Sequence, residues 1–456
     1  MLDRTSARTV LEQVAEYAIA ARAATPAPEV IHAAKRAVID WFAATLPGTK
    51  EEAALRLRAA LAEETAHGRA IVYGAQGLRA PTRTAALLNG TASHVTEFDD
   101  IFRDAIYHPG SPTVATALAC AQTVGASGLD MLKGLIVGYE VATRIGAAMV
   151  PAHYRYWHTT GTVGTFGAAA CAATILGATA NQFAHALGNA GTMAAGLQQA
   201  FRSDAMGKPL HAGHAADAGT LAALAAVKGF TGPLDMLEGE SGFGHAMGDN
   251  PDWEKAFADL GRPDQAHNIT RMTVKNHGCC GHTFAAIDAA QKLAAEHSLV
   301  PGDIKALTVH TYGTALKVAG TREVATPFQG KFSLPFVVAT ALVHGSVRLD
   351  AFTPERLADP ATHALMARIE MQVDPQYDAS FPKQRAAWVE AETTDGRRLT
   401  FHQTTRKGDP DDPLSDAELD GKFLELASPV MGDKAAQALL ADLHALDARK
   451  DAELVA

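Results

Sequence analysis

Five short segments of this chain gather ionisable and small polar residues beyond what their apolar surroundings need: EFDDIFRDAIYHPGS (97–111), WHTTGTVG (157–164), GKPLHAGHAADAG (207–219), KNHGCCGH (275–282) and GKFSLPF (330–336). In the first, Glu97, Asp99, Asp100 and Asp104 precede His108-Pro109-Gly110-Ser111. Ser111, followed by Pro112 and an apolar run, is expected to cap a helix, and helix N-termini bind anions. A substrate carboxylate would then sit near Ser111, with His108 giving or taking a proton. The plainer alternative, solvated acids and a simple cap, is the better account of this segment taken alone.

His158 followed by Thr159, Thr160, Gly161 and Thr162 opens a long stretch free of Asp, Glu, Lys and Arg, from Thr159 to Phe201. Hydroxyls and imidazole at the mouth of an apolar helix cost desolvation unless something meets them, so an oxyanion-binding role weighs evenly against an ordinary capping Thr beside a satisfied histidine. Lys208 and His211 follow, with Pro209 pinning the backbone between them. Such a lysine suits a carboxylate clamp, against the commoner fate of a surface lysine on a loop. In KNHGCCGH, His277, Cys279, Cys280 and His282 invite a zinc reading, but zinc sites pair ligands across a loop and no second pair with such spacing is obvious elsewhere. An iron–sulfur cluster needs converging thiolates, and two of the four cysteines, Cys120 and Cys171, fall inside predicted helices. What remains is a loop after a strand ITRMTVK that carries Lys275 with His277 or His282 into a cleft. Ser333 in GKFSLPF is expected to cap the helix that follows, or to bind a carboxylate beside that cap.

The elements that position these segments are legible in the pattern. EVIHAAKRAVIDWFAATL, RTAALLNGTASHVTEF, TVATALACAQTVGA and DMLKGLIVGYEVATRIGAAMV read as helices punctuated by Gly, Pro or Asn. The N-terminal MLDRTSARTVLEQVAEYAIAARA reads as an amphipathic helix with no signal-peptide h-region. Near Asn268 the pattern changes to period two: ITRMTVK, IKALTVHTY and WVEAETTDGRRLTFHQ read as strands, with Asp395-Gly396 as a type I′ turn closing a hairpin over 387–403. HTFAAIDAAQKLAAEH and SLPFVVATALVHG are helices between them. After Ser415, a plausible N-cap, the chain returns to helix. The expected fold is therefore mainly α: a large all-helical domain over 1–267 with 404–456, and a smaller α+β domain over 268–403.

At 456 residues the chain exceeds a single core. A formal net charge of −10 disfavours nucleic acid and anionic lipid as partners, so an anionic ligand requires a locally basic pocket. Four cysteines, two of them adjacent, give no disulfide framework, and the expected compartment is the cytoplasm. The uncharged stretch from Thr159 is too rich in Gly, Ala, Thr and amides for a membrane span and reads as buried core.

In this order, the five segments resemble the MmgE/PrpD family over essentially the whole chain, together with AKRAVIDWFAATLPG near the start, GFTGPLDMLEGESGF, and KFSLPFVVATALVHG followed by FTPERLADP. The resemblance implies a homodimer whose subunits combine a large helical domain with a smaller α+β lid, an active site between them, a small polycarboxylate as substrate, and no metal or cofactor. It places the acid-Phe-Asp-Asp motif on Glu97, Asp99 and Asp100, the His-Pro on His108, the His-x-x-Gly-Thr on His158, and the two lysines on Lys208 and Lys275. Ser111, Thr160, Thr162, His211, His277, Cys280, His282 and Ser333 are the expected substrate-binding groups beside them. Three departures limit this to a reaction class: Glu97 stands where other members carry Asp, Ile101 where the family's decarboxylases carry Thr, and Cys280 where they carry His. The expected activity is a metal-independent dehydratase-type lyase that removes a proton α to a carboxylate. In that chemistry His108 and His158 move protons, Glu97, Asp99 or Asp100 orients one of them, and Lys208 and Lys275 hold the developing charge. An epimerase of an amino- or imino-dicarboxylate needs the same inventory, and a non-catalytic carboxylate-binding protein would keep the fold without turnover.

Overall fold

The computed structural model describes residues 8–455 apart from 76, 202, 204 and 263. The first seven residues of the expected N-terminal helix lie outside the described residues. Its remainder forms Val10–Ala23, started by a capping box between Thr9 and Glu12. Backbone contacts divide the chain into two compact units, 1–272 with 415–456, and 273–414.

The first unit is helical apart from a two-residue ribbon, Ala70–Ile71 against Arg79–Ala80. Its central element is the helix Thr159–Ile175, buried from Thr159 to Thr174 because its sequence is mostly Gly, Ala and Thr, with Val163, Phe166 and Cys171 and no charge. Around it pack Gly110–Val124, Gly128–Met149, Ala180–Met193 and Gly207–Ala226. Small residues make this density possible. A Cβ on Gly213 would overlap the Leu87 carbonyl oxygen and the Thr91 hydroxyl, so the helix Thr82–Val95 approaches Gly207–Ala226 only because position 213 has no side chain. The tail helix Asp416–Met431, capped by Ser415 and Glu418, lies on Pro28–Gly48. There Lys422 Nζ donates to Asp40 Oδ1 at 2.6 Å and to the Phe98 carbonyl at 2.9 Å, all of it buried. No described helix is long and apolar enough to cross a membrane.

The second unit is built on a four-stranded sheet in the order Ile369–Val373, Ile304–Thr311, Ala387–Thr393, Arg398–Gln403. The first two strands pair in parallel and the rest antiparallel. Leu307, Val309, Val389 and Ala391 are buried on the sheet. The helices Phe284–Glu296 and Leu334–His344 share their core, and Phe284–Glu296 packs on the last two strands.

Two local expectations are corrected. ITRMTVK forms a 3-10 turn at Asn268–Arg271 rather than a strand. Asn268 donates its backbone N–H to Glu140 Oε2 at 2.8 Å and its amide to Thr143 Oγ1 at 2.9 Å, so side chains of Gly128–Met149 replace ladder bonds. Asp395-Gly396 closes the hairpin, but only Gly396 has positive φ (+87°), and a type I′ turn needs it at both positions. Glu392 opposite Arg398, with the Thr393 N–H donating to the Arg397 carbonyl at 3.0 Å, instead defines a longer loop with glycine at the left-handed position.

Candidate active site

The first unit brings together Glu97, Asp99, Asp100, His108, Ser111, His158, Thr160, Lys208 and His211. The segment 97–109 runs between the helices Thr82–Val95 and Gly110–Val124, and it starts in an unusual conformation. Glu97 has φ +60°, left-handed for a residue with a Cβ, which costs energy that the surroundings must offset. Its carboxylate takes an ion pair from Lys208, and both side chains are buried. Lys208 stands in the first turn of the helix Gly207–Ala226, not on a loop, so its ammonium adds to the positive end of the helix dipole.

Asp99 is the hub of the cluster. Its Oδ2 lies 2.7 Å from Ser111 Oγ, 2.7 Å from His94 Nδ1 and 3.4 Å from His108 Nδ1. Ser111 therefore does not cap its helix, which begins at Gly110. The Asp100 carboxyl occupies that N-terminus instead, its Oδ1 accepting from the Gly110 N–H at 2.9 Å while Oδ2 accepts from Tyr139 Oη at 2.8 Å. A Cβ on Gly110 would stand 2.7 Å from Asp100 Oδ1, so glycine is what allows the carboxyl to reach the amide. Burial, reinforced by Asp40 and Asp99, pushes the Asp100 carboxyl up to about 8, against the hydrogen bonds from Tyr139 and Gly110.

His158 precedes the central helix. Its backbone N–H donates to the Gly196 carbonyl at 2.9 Å, its Nδ1 lies 3.0 Å from His211 Nδ1, and its ring stacks on His94 with centroids 5.4 Å apart. Burial first, then the neighbouring His94, Lys208, His211 and His108, pulls its imidazole well below the usual histidine range. Burial foremost, then His94, His214 and Lys208, brings His211 down to about 4. Both rings are therefore neutral at neutral pH. Thr160 accepts the His108 backbone N–H at 3.3 Å, whereas Thr162 is tied to His153 Nε2 at 2.7 Å.

In the second unit, Lys275, His277, Cys280, His282 and Ser333 are buried. His277 Nε2 meets Asp288 Oδ1 at 2.9 Å, and Asp288 Oδ2 accepts the Lys407 backbone N–H at 2.9 Å. His282 Nδ1 meets Tyr312 Oη at 2.7 Å, and burial, with Arg385 and Arg406 nearby, pulls its imidazole well below the usual range. The Cys280 N–H donates to the Lys331 carbonyl at 3.0 Å. Ser333 caps Leu334–His344, accepting from the Phe336 N–H at 3.4 Å, and donates to the Thr321 carbonyl at 2.6 Å.

Sequence reasoning missed His94, Tyr139, Asp288, Tyr312 and Arg406. His94 had a signal, an imidazole in the last turn of an apolar helix three residues before Glu97. Tyr139 and Asp288 sit inside helices whose periodicity accounts for them, and Tyr312 and Arg406 stand just outside named elements, where a single polar residue carries no pattern.

Among the described residues, His94, Asp99 and His108 form the group that could hold a metal ion, with one ligand atom from each lying within 4.8 Å of the others. Two ligands on a tetrahedral zinc, each about 2.0–2.1 Å from the ion, stand about 3.3 Å apart. His94 and Asp99 at 2.7 Å are instead at hydrogen-bond distance, so a metal would have to break that bond to enter. The Cys279 thiol is pushed up to about 12 by burial, which keeps it protonated. A cavity of about 460 Å³ opens elsewhere on the first unit, beside Phe102, Asp104, Arg144 and Arg271, and its lining includes none of these candidates. Of its acids, Asp104 and Asp259 are paired with Arg271 and Arg144, and Asp252 accepts from the Lys255 N–H.

Family models match the two parts of the chain in turn: the MmgE/PrpD N-terminal domain over residues 12–256 and the MmgE/PrpD C-terminal domain over 277–446. Among curated proteins, the chain is 28% identical to a cis-aconitate decarboxylase-like protein of Aspergillus oryzae, covering 94% of this chain and 92% of that one. It is 28% identical to the cis-aconitate decarboxylase of Homo sapiens (93% and 89% covered) and 27% identical to that of Mus musculus (93% and 88%). With both domain models matched in order, and the motif residues from Glu97 to Lys208 gathered into one buried cluster, the chain belongs to the MmgE/PrpD family.

Proposed function

We propose that this protein is a lyase that acts on a small polycarboxylate by removing a proton α to a carboxylate, of the dehydratase type and without a metal or cofactor. The observation that carries the reading is the buried cluster itself. Three carboxyls, the His94 and His158 imidazoles and one ammonium are buried together, with His108 and His211 half-buried beside them, where apolar packing would be cheaper, and such a desolvated set persists when it serves a ligand or a reaction. The relatives' names point to the same substrate class.

In dehydration, the Cα–H bond breaks to a base, the C–OH bond breaks with a proton supplied to the oxygen, and an alkene and water leave. His158, neutral at working pH, is fitted to accept the α-proton. His108, beside Asp99, supplies the proton to the departing hydroxyl. Lys208 exchanges part of its bond to Glu97 for the substrate carboxylate, and its attraction grows as charge accumulates there. Lys275 is assigned to a second carboxylate on the family resemblance, with His277, Cys280, His282 and Ser333 as supporting groups. Elimination of water is preferred over loss of carbon dioxide because Ile101 and Cys280 stand where the family's decarboxylases carry Thr and His. A cytoplasmic homodimer is the matching assembly.

The test is proton NMR of chelator-treated protein in deuterated water with 2-methylcitrate, citrate, cis-aconitate and iminodisuccinate in turn. Appearance of an alkene or its hydration product supports the dehydratase. Itaconate would make the protein a decarboxylase, and exchange with inversion an epimerase. Stoichiometric zinc whose removal abolishes turnover would overturn metal independence.

A further inference from the structure

His94 lies outside the family motif residues assigned above, yet it touches three of them, Asp99, His108 and His158. It is fully buried in the last turn of Thr82–Val95. Its Nδ1 meets Asp99 Oδ2 at 2.7 Å, the same oxygen that takes Ser111 Oγ at 2.7 Å and lies 3.4 Å from His108 Nδ1. Its ring meets His108 edge-on at 4.9 Å between centroids and stacks on His158 at 5.4 Å with 22° between planes. Its Nε2 is buried with no hydrogen-bond partner among the described residues.

We propose that His94 is a positioning residue that, through Asp99, fixes which nitrogen of His108 exchanges protons, while its ring face backs His158. This rests on the lyase reading above. The chemistry follows from the bonds. A carboxylate oxygen accepts, so His94 presents Nδ1–H to Asp99 and Ser111 presents its hydroxyl. Held from two sides, Asp99 cannot turn, and the side of His108 that faces it is Nδ1. A carboxylate facing Nδ1 keeps a proton on that nitrogen, so Nε2 is the exchanging position: bare in the neutral ring, where it takes a proton from solvent, and loaded in the imidazolium so formed, which gives its Nε2 proton to the departing hydroxyl, the logic by which a buried acid orients a catalytic histidine elsewhere. Stacking on His158 places the second proton carrier against the same rigid ring, so one side chain sets the spacing of both.

The substitutions that separate positioning from packing are His94→Phe, which keeps a ring but no donor, and His94→Asn, whose amide nitrogen can occupy the Nδ1 position. His94→Phe is expected to lower kcat by about 10²-fold with KM changed less than about threefold, since loss of an orienting group acts on the proton-transfer step. His94→Asn is expected to recover at least about tenfold of that loss. Nitrogen-15 spectra of histidine-labelled protein, which need no substrate, are expected to show His108 with Nδ1 protonated in the native protein and a mixture of tautomers in His94→Phe. A neutral His108 whose single proton sits on Nε2 in the native protein, or an unchanged His108 in His94→Phe, overturns the proposal, as does a folded His94→Asn no more active than His94→Phe. If no compound of the panel turns over, the lyase reading fails by itself, and the nitrogen-15 comparison still decides the role of His94.

Discussion

The ionisable side chains of the first unit bond mainly to one another, whereas those of the second bond to partners that hold the local backbone. In the first, Asp99 serves His94 and Ser111 together, Glu97 pairs with Lys208 across 111 positions, and His158 meets His211. In the second, His277 is tied through Asp288 to the Lys407 amide, Ser333 bonds to the Thr321 carbonyl, and Arg406 holds both Asp409 and the Gly281 carbonyl. A network whose members satisfy each other is re-partitioned when one proton moves or one carboxylate enters. Side chains that pin a loop gain nothing from such a change. On the proposed lyase reading, proton transfer is assigned to the first unit, and the second unit's bonds to backbone hold the 275–282 segment that presents Lys275 to a second carboxylate.

The largest effect expected from that contrast is on stability in the second unit. Arg406→Ala leaves Asp409 buried without its main cation, and breaking such a pair costs about 3–5 kcal/mol. Denaturant unfolding would measure this, with activity per folded molecule staying within about tenfold because no proton carrier is removed. A variant of native stability would dissolve the contrast.

A pH effect of intermediate size should come from the first unit. Asp100 titrates near 8 in the fold against 3.8 as a free side chain, so the folded state holds a proton that the unfolded state releases. Stability from this group is present at low pH and is lost as pH rises through that window. His211 and His153, at about 4 against 6.5, work the other way, and their contribution is lost as pH falls below 6.5. Between pH 6.5 and 8 only Asp100 of these three still titrates. Stability is expected to decline over that interval in the native protein and to stay level in Asp100→Asn; equal slopes would remove Asp100 as the cause.

The smallest effect is a cap. Ser333→Ala should cost about 1 kcal/mol, the usual worth of an N-cap hydroxyl, with little change in turnover. A large loss of kcat with stability intact would bring Ser333 into the reacting step and break the division between the units.

Much of this organisation is legible in the sequence, for identifiable reasons. The long helices announce themselves because apolar residues recur at helical spacing between Gly and Pro breaks, and the 387–403 hairpin because Asp395-Gly396 separates two alternating runs. The strand Ile369–Val373 escapes notice because only Ile369 is buried, so its side chains carry no alternation. ITRMTVK misleads because Glu140 and Thr143, more than a hundred residues earlier, supply the bonds a strand would have sought from a neighbour. At the site, the motif acids and histidines stand out as ionisable groups in an apolar setting. Ser111 is misread as a cap because Asp100 reaches the same helix terminus from outside it. His94 is overlooked because a single imidazole inside a helix looks like core until the fold sets Asp99, His108 and His158 around it.

Whether the first unit's cluster moves a proton α to a carboxylate is decided by deuterium incorporation from deuterated water into the polycarboxylate panel. Native protein would be compared with His108→Ala and His158→Ala. The account predicts incorporation or alkene formation by the native protein and a loss of about 10²–10⁴ in each variant, the usual worth of a positioned acid or base. Exchange that survives both substitutions within about tenfold would contradict it.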